Sequence, residues 1–288
     1  MKLVLGTAQF GHIYGVANTA GHVHAQQANA IIQLAQTCGI STLDTAIDYG
    51  RAESVLGQLG IGHWQTITKL PPVPDYCQDV AQWIHDQTRQ SLTRLRLTQF
   101  YAVLLHRPAQ LFQGIGPAVY DALQSLQSQG LTCKIGVSIY TPSELDALFA
   151  AYAFDLVQAP LNILDRGLVD SGWAMRLHGA GVEVHTRSTF LQGLLLMPPG
   201  QRPAKFNCWA AVWNVWDDWL VREGLTPLEA CMRYVYNLSE IDRIVVGVDT
   251  STQLNEVVNA AVGPLANLPR FDTLQDERLI NPSTWSQL

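Results

Sequence analysis

Eight short apolar runs alternate with segments of helical periodicity along this chain, and this alternation restricts the possible folds more than any other feature. The runs are rich in β-branched and aromatic residues and are apolar on both faces, as are parallel strands that are buried on both sides. They occupy residues 2–6, 40–46, 65–70, 100–106, 133–138, 156–161, 182–188 and 243–248. The pattern therefore predicts eight strands with a helix after each.

An α/β chain of 288 residues with eight such strands predicts a (β/α)8 TIM barrel, a parallel eight-stranded barrel that forms a single domain over residues 1–288. The main alternative is a doubly wound open sheet, which normally has a GxGxxG segment after its first strand. Here the first strand leads into "GTAQFGHIYG", which lacks that spacing. The Gly- and Pro-rich segment "MPPGQRPAK" indicates a long loop after the seventh strand rather than a domain boundary.

Composition and charge argue against several classes of partner. Hydrophobic residues make up 48% of the chain and charged residues 15%, which favours a well-packed core over disorder. The net charge of −6 and the lack of a basic cluster argue against nucleic acid or an anionic membrane as a partner. No apolar run reaches about 18 residues, so no membrane span is expected. Five scattered cysteines without a CxxC pair predict free thiols and a cytoplasmic location.

Four polar residues lie at or just beyond the carboxyl ends of three neighbouring predicted strands, where barrels of this kind have their active sites. They are Asp44, Tyr49, Lys69 and His106. Lys69 is one of only four lysines and has apolar neighbours, so it needs a carboxylate partner, for which Asp44 is the obvious candidate. The lysine ammonium should lower the pKa of the Tyr49 phenol and let it exchange a proton with an alkoxide. His106 could orient a carbonyl group by hydrogen bonding.

Six segments carry a resemblance to a known family. They read "LDTAIDYGRAESVLG", "ITKL", "LLHRP", "IGVSIYTPSEL", "VQAPLNILDR" and "RIVVGVDTSTQLNE". In these segments the chain resembles the aldo-keto reductases, and the likeness extends over nearly its full length. The C-terminal segment "ERLINPSTW" is similar to that of a bacterial branch of the family that is associated with sugar metabolism.

The resemblance implies an NADPH- or NADH-dependent oxidoreductase that interconverts a small-molecule carbonyl and an alcohol without a metal. The four polar residues above would form its catalytic tetrad, with Tyr49 as the general acid. The cofactor would lie extended across the strand ends, and Ser138 and Gln158 would hold the nicotinamide carboxamide. The cofactor-binding residues implied by the resemblance are Gly6, Thr7, Ala8, Asp44, Ser138, Gln158, Arg187, Ser188, Phe190, Gln192, Gly193, Gly247, Val248, Asp249, Gln253 and Glu256.

The chain departs from the family pattern at three positions. Ile139 replaces an asparagine that usually follows the serine, so one carboxamide hydrogen bond would be missing or supplied elsewhere. Arg187 replaces a tyrosine that stacks on the nicotinamide. A guanidinium can stack there and would favour the reduced ring, or it could turn toward the pyrophosphate, a substrate anion or a local acid. Asp249 lies where the family offers a cation to the 2′-phosphate, which favours NAD, although three neighbouring hydroxyls could still bind a phosphate.

The substrate is expected above the nicotinamide, between the loops after the first, fourth and seventh strands. The expected substrate contacts are Phe10, Tyr14, Tyr49, His106, Arg107 and Trp209. Trp209 begins the segment "WAAVWNVWDDWLVREG", in which tryptophans share one helical stripe. The stripe indicates a helix packed on the barrel, and the alternative is that Trp209 walls the substrate pocket.

Two other functions are compatible with the sequence. A barrel of this family could bind the cofactor as a regulatory or accessory protein with little turnover, and the residues at 139, 187 and 249 would favour that role. The intact tetrad argues against it. An unrelated barrel enzyme could use Lys69 for Schiff-base chemistry, which needs a lowered lysine pKa. Borohydride trapping at Lys69 would distinguish that enzyme from a reductase.

Overall fold

The computed structural model describes residues 1–18, 21–264, 267–271 and 276–288. Its eight strands are parallel and close into a barrel in chain order, with the last strand paired to the first. This arrangement confirms the (β/α)8 barrel expected from the sequence. The strands are β1 (Leu3–Gly6), β2 (Thr42–Asp44), β3 (Gln65–Leu70), β4 (Phe100–Leu105), β5 (Thr132–Ser138), β6 (Leu156–Pro160), β7 (Glu183–Arg187) and β8 (Arg243–Gly247).

Helices cover the barrel, and at least one helix follows each strand. Within the described residues, two α-helices follow each of β6, β7 and β8, which extends the simple repeat. The α-helices in the described residues are α1 (Ala25–Thr37), α2 (Ala52–Leu59), α3 (Val80–Leu95), α4 (Gly116–Ser128), α5 (Glu144–Ala151), α6 (Gly167–Asp170), α7 (Trp173–Gly179), α8 (Ala210–Glu223), α9 (Pro227–Tyr236), α10 (Ser251–Ala260) and α11 (Glu277–Ile280).

The alternation of side chains along β3 decides which of its residues reach the barrel interior. Four apolar side chains from β3, β4 and β6 pack together, and because β3 and β6 are not neighbours, they meet inside the barrel. These side chains are Ile67, Ala102, Leu104 and Leu156. Thr68 points outward, where its hydroxyl donates to the carboxylate of Glu53 on α2 at 2.9 Å. Lys69 therefore points inward, at the carboxyl end of the strand.

The observed strands lie within two residues of the expected boundaries at both ends, and β3 matches them fully. The largest difference is at β2, which ends at Asp44. The chain still follows β3 beyond that point, because the Thr45 N–H donates to the Ile67 carbonyl at 2.9 Å and the Ile47 N–H to the Lys69 carbonyl at 3.2 Å. The apolar run thus continues beside β3 as irregular backbone.

The tryptophan-rich helix α8 packs on the barrel, as its stripe indicated. Trp213, Trp216 and Trp219 are buried. The rings of Trp216 and Trp219 stack with their centroids 5.6 Å apart. None of the helices in the described ranges is long and apolar enough to cross a membrane.

The C-terminal segment is anchored by Trp285. Its indole is buried and meets the ring of Phe206 edge to face, with the centroids 4.8 Å apart. The ammonium of Lys205 donates to the Trp285 carbonyl at 2.8 Å. These contacts hold the end of the chain against the long loop that precedes α8.

Candidate active site

A buried ion pair lies at the mouth of the barrel. The ammonium of Lys69 is 2.6 Å from Oδ1 of Asp44 and also donates to the Thr45 carbonyl at 2.9 Å. Lys69 is 1% exposed and Asp44 is 3% exposed. Burial lowers the pKa of Lys69, and the charge of Asp44 offsets part of that effect. The pairing of Asp44 with Lys69 that the sequence suggested is therefore present in the structure.

Groups from the neighbouring β1 side and from β6 across the barrel fix the position of Asp44. The backbone N–H and the hydroxyl of Thr7, which follows β1, donate to the Asp44 carbonyl at 3.0 and 2.9 Å. From β6, the amide of Gln158 donates to Asp44 Oδ2 at 2.7 Å. Ser138 donates in turn to Gln158 Oε1 at 3.4 Å. Ser138 and Gln158 are both buried, and in this structure their hydrogen bonds run to each other and to Asp44.

Tyr49 lies against the ion pair. The Lys69 ammonium is 5.3 Å from the centre of its ring, and the ring of His106 meets it edge to face at 5.8 Å. The first loop packs closely against the backbone of Tyr49, because a Cβ at Gly11 would overlap the Tyr49 carbonyl oxygen. The pKa of Tyr49 is raised, mainly by burial and then by the nearby charge of Asp44. The expectation of a lowered phenol pKa is therefore wrong, because burial and the charge of Asp44 outweigh the lowering effect of the positive charge of Arg187.

His106 is a neutral imidazole at physiological pH. Burial and the positive charges of Lys69, Arg187 and Arg107 lower its pKa to about 3. Its Nδ1 is 3.7 Å from Oδ2 of Asp48, which is too long for a hydrogen bond. A neutral imidazole next to Tyr49 can donate to a carbonyl oxygen without competing as the proton source.

Arg187 ends β7 and lines the second of the two cavities described below, whereas the next residue, Ser188, lines the first. Its guanidinium donates to the Ile139 carbonyl at 2.9 Å and to the Ser188 hydroxyl at 3.3 Å. It also lies over the ring of Tyr140, with Cζ 4.9 Å from the ring centre. Within the described part of the chain it forms no ion pair with a carboxylate, so the local salt bridge considered from the sequence is not found.

The first cavity, here called the β7–β8 cavity, has a volume of about 290 Å³ and is lined by residues that follow β1, β7 and β8. Nine of the residues expected to bind the cofactor line it: Ser188, Phe190, Gln192, Gly193, Gly247, Val248, Asp249, Gln253 and Glu256. Among its described lining residues there is no lysine or arginine. Other residues expected to bind the cofactor lie outside this cavity. Among them, Gly6, Thr7, Ala8 and Asp44 lie where β1 and β2 end.

Two loops meet over the β7–β8 cavity. The Val16 N–H donates to the Gln192 carbonyl at 3.1 Å. Gly193 has a φ of +89°, and a Cβ there would come within 2.7 Å of the Ala17 Cβ. The left-handed backbone and the absent side chain together allow this close approach.

The expected substrate residues separate into different environments. Tyr14 lines the β7–β8 cavity, and Arg107 is exposed beside His106. Phe10 is fully buried in the hydrophobic core and offers no accessible surface to a substrate, so we withdraw it from the substrate site. Trp209 is also buried, and its indole N–H donates to Asp276 at 3.0 Å. The hydrogen-bond acceptor of this indole thus lies in the C-terminal segment.

The second cavity was missed in the sequence. This β5–β6 cavity has a volume of about 540 Å³ and lies between the loops after β5 and β6 and the C-terminal segment. Tyr140, Asp165, Arg187 and Asn281 are among its lining residues. Asp165 ends the segment "PLNILD", in which Asn162 is the other polar residue, and this carboxylate after an apolar strand was the sequence signal for it. None of the tetrad residues lines either cavity, and Arg187 lies at the border between them and the tetrad.

Comparisons with known proteins agree with the barrel. The model of the aldo/keto reductase family matches residues 2–267. An aldo-keto reductase from Bacillus halodurans in its holo form superposes with a TM-score of 0.73 at 18% identity, covering 96% of this chain and 95% of that one. A glycerol dehydrogenase from Gluconobacter oxydans gives 0.72 at 20% identity, covering 92% and 88%. No curated protein sequence matched. Since the family model spans almost the whole chain, the protein belongs to the aldo/keto reductase family.

Proposed function

We propose that the protein is a nicotinamide-dependent oxidoreductase that reduces an aldehyde or ketone to an alcohol, or catalyses the reverse reaction, with Tyr49 as the proton donor. The family supports an oxidoreductase acting on a small carbonyl compound. The observation that carries the proposal is the arrangement of Tyr49. Its ring lies 5.3 Å from the Lys69 ammonium, and that ammonium is 2.6 Å from Asp44.

The roles of the side chains follow from their charges. The raised pKa of Tyr49 keeps its phenol protonated at neutral pH, so that it can protonate the oxygen of a carbonyl. As the proton leaves, the Lys69 ammonium stabilises the charge that develops on the phenol oxygen. Asp44 holds the ammonium in place. Neutral His106 can orient the carbonyl by donating a hydrogen bond.

The residues of the β7–β8 cavity fit a nicotinamide cofactor. The Thr189 hydroxyl is buried, lines this cavity and has no hydrogen-bond partner among the described residues, so it can bond to a ligand. Ser188, Gln192 and Gln253 add polar groups to the lining. When bound, the reduced cofactor supplies the hydride that carbonyl reduction requires.

Tyr49→Phe tests the proposal. The variant should lose turnover at least about 100-fold, because general acid catalysis contributes that much or more. Cofactor affinity, measured by fluorescence titration, should change less than about twofold, because the hydroxyl lies outside the β7–β8 cavity lining. Tyr76→Phe, at an exposed tyrosine, is the matched control. Full turnover in Tyr49→Phe would contradict the role of Tyr49. Cofactor binding without turnover of any carbonyl by the unaltered protein would favour the accessory role.

We also propose that NADH binds at least as well as NADPH. Asp249 and Glu256 line the β7–β8 cavity, and its described lining offers no cation to a 2′-phosphate. A carboxylate repels the phosphate dianion but can accept a hydrogen bond from a ribose hydroxyl. Dissociation constants for the two reduced cofactors decide the question, and a large preference for NADPH would contradict the proposal.

A further inference from the structure

Arg187 lies close both to the tetrad and to the β7–β8 cavity. The next residue, Ser188, lines that cavity. Burial shifts the pKa values of Tyr49, Lys69 and His106 most, and the charge of Arg187 acts on each of the three as well. The guanidinium therefore lies within electrostatic range of the proposed proton donor and of its neighbours.

The reacting ring of a nicotinamide cofactor has to come near Arg187. Hydride transfer needs reacting atoms about 3–3.5 Å apart, so the ring must lie beside the carbonyl group that Tyr49 protonates. The rest of the cofactor is assigned to the β7–β8 cavity. Tyr14 connects the two places, because it lines the cavity and the pKa of its phenol, which burial raises, also responds to Tyr49 and Arg187. A ring that reaches from the cavity to Tyr49 thus comes within range of the guanidinium.

No acid in contact with Arg187 balances its charge within the described residues. Its hydrogen-bond acceptors are the Ile139 carbonyl at 2.9 Å and the Ser188 hydroxyl at 3.3 Å, and both are neutral groups. Asp165 is within electrostatic range of the guanidinium, but its carboxylate accepts its hydrogen bond from the Gly167 N–H and forms no ion pair with Arg187. The guanidinium therefore acts on its surroundings as a nearly uncompensated cation.

The charges around the tetrad have an excess of one positive charge. After burial, the charged groups that act on the pKa values of Tyr49 and His106 are three cations and two acids: Lys69, Arg187, Arg107, Asp44 and Asp48. Lys69 and Asp44 neutralise each other at 2.6 Å. Removal of the Arg187 charge would leave cations and acids in equal number.

The redox state of the cofactor decides whether this excess charge matters. A reduced nicotinamide ring is neutral, whereas an oxidised ring carries one positive charge. A nearby cation therefore repels the oxidised ring and has little effect on the reduced one. Two unit charges within roughly 10 Å of each other, at an effective dielectric constant of about 20, change a binding equilibrium about tenfold or more.

We propose that Arg187 discriminates between the two redox states of the cofactor, because its charge repels the oxidised nicotinamide ring and leaves the binding of the reduced ring unaffected. The protein then binds NADH in preference to NAD⁺ and releases NAD⁺ readily after each reduction. Release of product limits the turnover of many enzymes, so this discrimination favours carbonyl reduction over alcohol oxidation. The inference rests on the proposed function for the identity of the ligand, but binding alone measures it.

Dissociation constants for NADH and NAD⁺ at pH 7.5 test the proposal. The first is measured by fluorescence titration and the second by displacement of NADH. In the unaltered protein the dissociation constant of NAD⁺ should exceed that of NADH at least about tenfold. Arg187→Gln removes the charge and keeps an amide donor, so it should reduce this ratio about tenfold, mainly through tighter binding of NAD⁺. The same measurements with NADPH and NADP⁺ cover a preference for the phosphorylated cofactor.

Two further variants separate charge from shape. Arg187→Lys keeps the charge and should keep the ratio within about threefold of that of the unaltered protein. Arg89→Gln removes one positive charge from an exposed position on α3, so it is the matched control for net charge and should leave the ratio unchanged. Equal weakening of both redox states in Arg187→Gln would overturn the proposal, because the guanidinium would then bind a group that both states share, such as the pyrophosphate. A ratio near one in the unaltered protein would overturn it too.

Turnover separates this inference from the proposed function. If the ratio depends on Arg187 but no aldehyde or ketone is reduced, the discrimination stands and the reductase function fails. If carbonyl compounds are reduced and Arg187→Gln leaves the ratio constant, the reductase stands and the discrimination fails. If none of the four cofactor forms binds the unaltered protein, both fail.

Discussion

Asp44 and Asp48 are four residues apart, yet only Asp44 is buried. Asp44→Asn would leave the Lys69 ammonium in the barrel mouth without a compensating carboxylate. Breaking a buried pair in this way costs about 3–5 kcal/mol of unfolding free energy. Urea denaturation should show a loss near the lower figure, because Lys69 can release its proton. Asp48 has a side chain that is 48% exposed, so Asp48→Asn should cost less than about 0.5 kcal/mol. Equal losses would contradict the assignment.

The low pKa of His106 predicts a particular pH dependence. With its pKa near 3 in the folded protein and about 6.5 when unfolded, His106 binds a proton only in the unfolded chain between those values. Folded stability is therefore lost as the pH falls from about 6.5 toward 3. When the pH is lowered from 7.5 to 5, the unfolding free energy of His106→Asn should fall by roughly 1–2 kcal/mol less than that of the unaltered protein.

Activity gives an independent check on His106. The imidazole should remain neutral from pH 8 to pH 5. The pH profile of kcat/KM should therefore contain no inflection that is present in the unaltered protein and absent from His106→Gln. Direct NMR titration of the imidazole should likewise find no protonation above about pH 4. A pKa between 6 and 7 for this ring would refute the environment described here.

At the scale of single residues, the sequence indicated which charged groups pair but not how burial shifts the pKa values of the groups beside them. Lys69 among apolar neighbours predicted the carboxylate partner, since an unpaired buried charge is too costly. The direction of the Tyr49 shift was wrong because it depends on how much of the ring is covered, and no local pattern reports that. Phe10 was misjudged for the same reason: its 3₁₀ turn directs it into the core.

The contact between the first loop and the loop after β7 is an element-scale feature that can be tested at Gly193. Gly193→Ala and Gly200→Ala should each lower the unfolding free energy by about 1 kcal/mol, because both positions have a left-handed backbone, with φ of +89° and +81°. Only the Cβ at Gly193 collides with Ala17, whereas the one at Gly200 meets nothing within 4 Å. Gly193→Ala should therefore displace the first loop and speed dissociation of NADH by roughly tenfold in stopped-flow fluorescence. Equal rates in the two variants would show that the loops do not retain the cofactor.

The strands were predictable from the sequence because each is buried on both sides and reads as a continuous apolar run. The short helix α6 and the C-terminal helix α11 were not, because single turns of helix carry too little periodicity. The β5–β6 cavity was missed for a related reason. Its lining comes from β5, β6 and the chain end, and no motif joins segments so far apart in sequence.

At the scale of the whole molecule, the C-terminal segment should unfold together with the barrel. Trp285→Ala removes a buried indole that packs on Phe206 and should cost about 3–5 kcal/mol. Leu288→Ala, at a side chain that is 41% exposed, is the control and should cost far less. Thermal unfolding followed by near- and far-UV circular dichroism should remain one coincident transition in both variants. Two separate transitions would contradict a single domain over residues 1–288.

The pairing of β8 with β1 has a consequence for how the protein is made. The β7–β8 cavity takes its lining from three parts of the chain, and the first (Gln9 to Asn18) and the last (Gly247 to Val257) leave the ribosome at nearly opposite ends of synthesis. A nascent chain that stops before β8 has an open sheet and lacks the part of the cavity lining that follows β8. Arrested chains should therefore gain protection by NADH against proteolysis only once α10 has emerged, which makes cofactor retention a marker of completed synthesis.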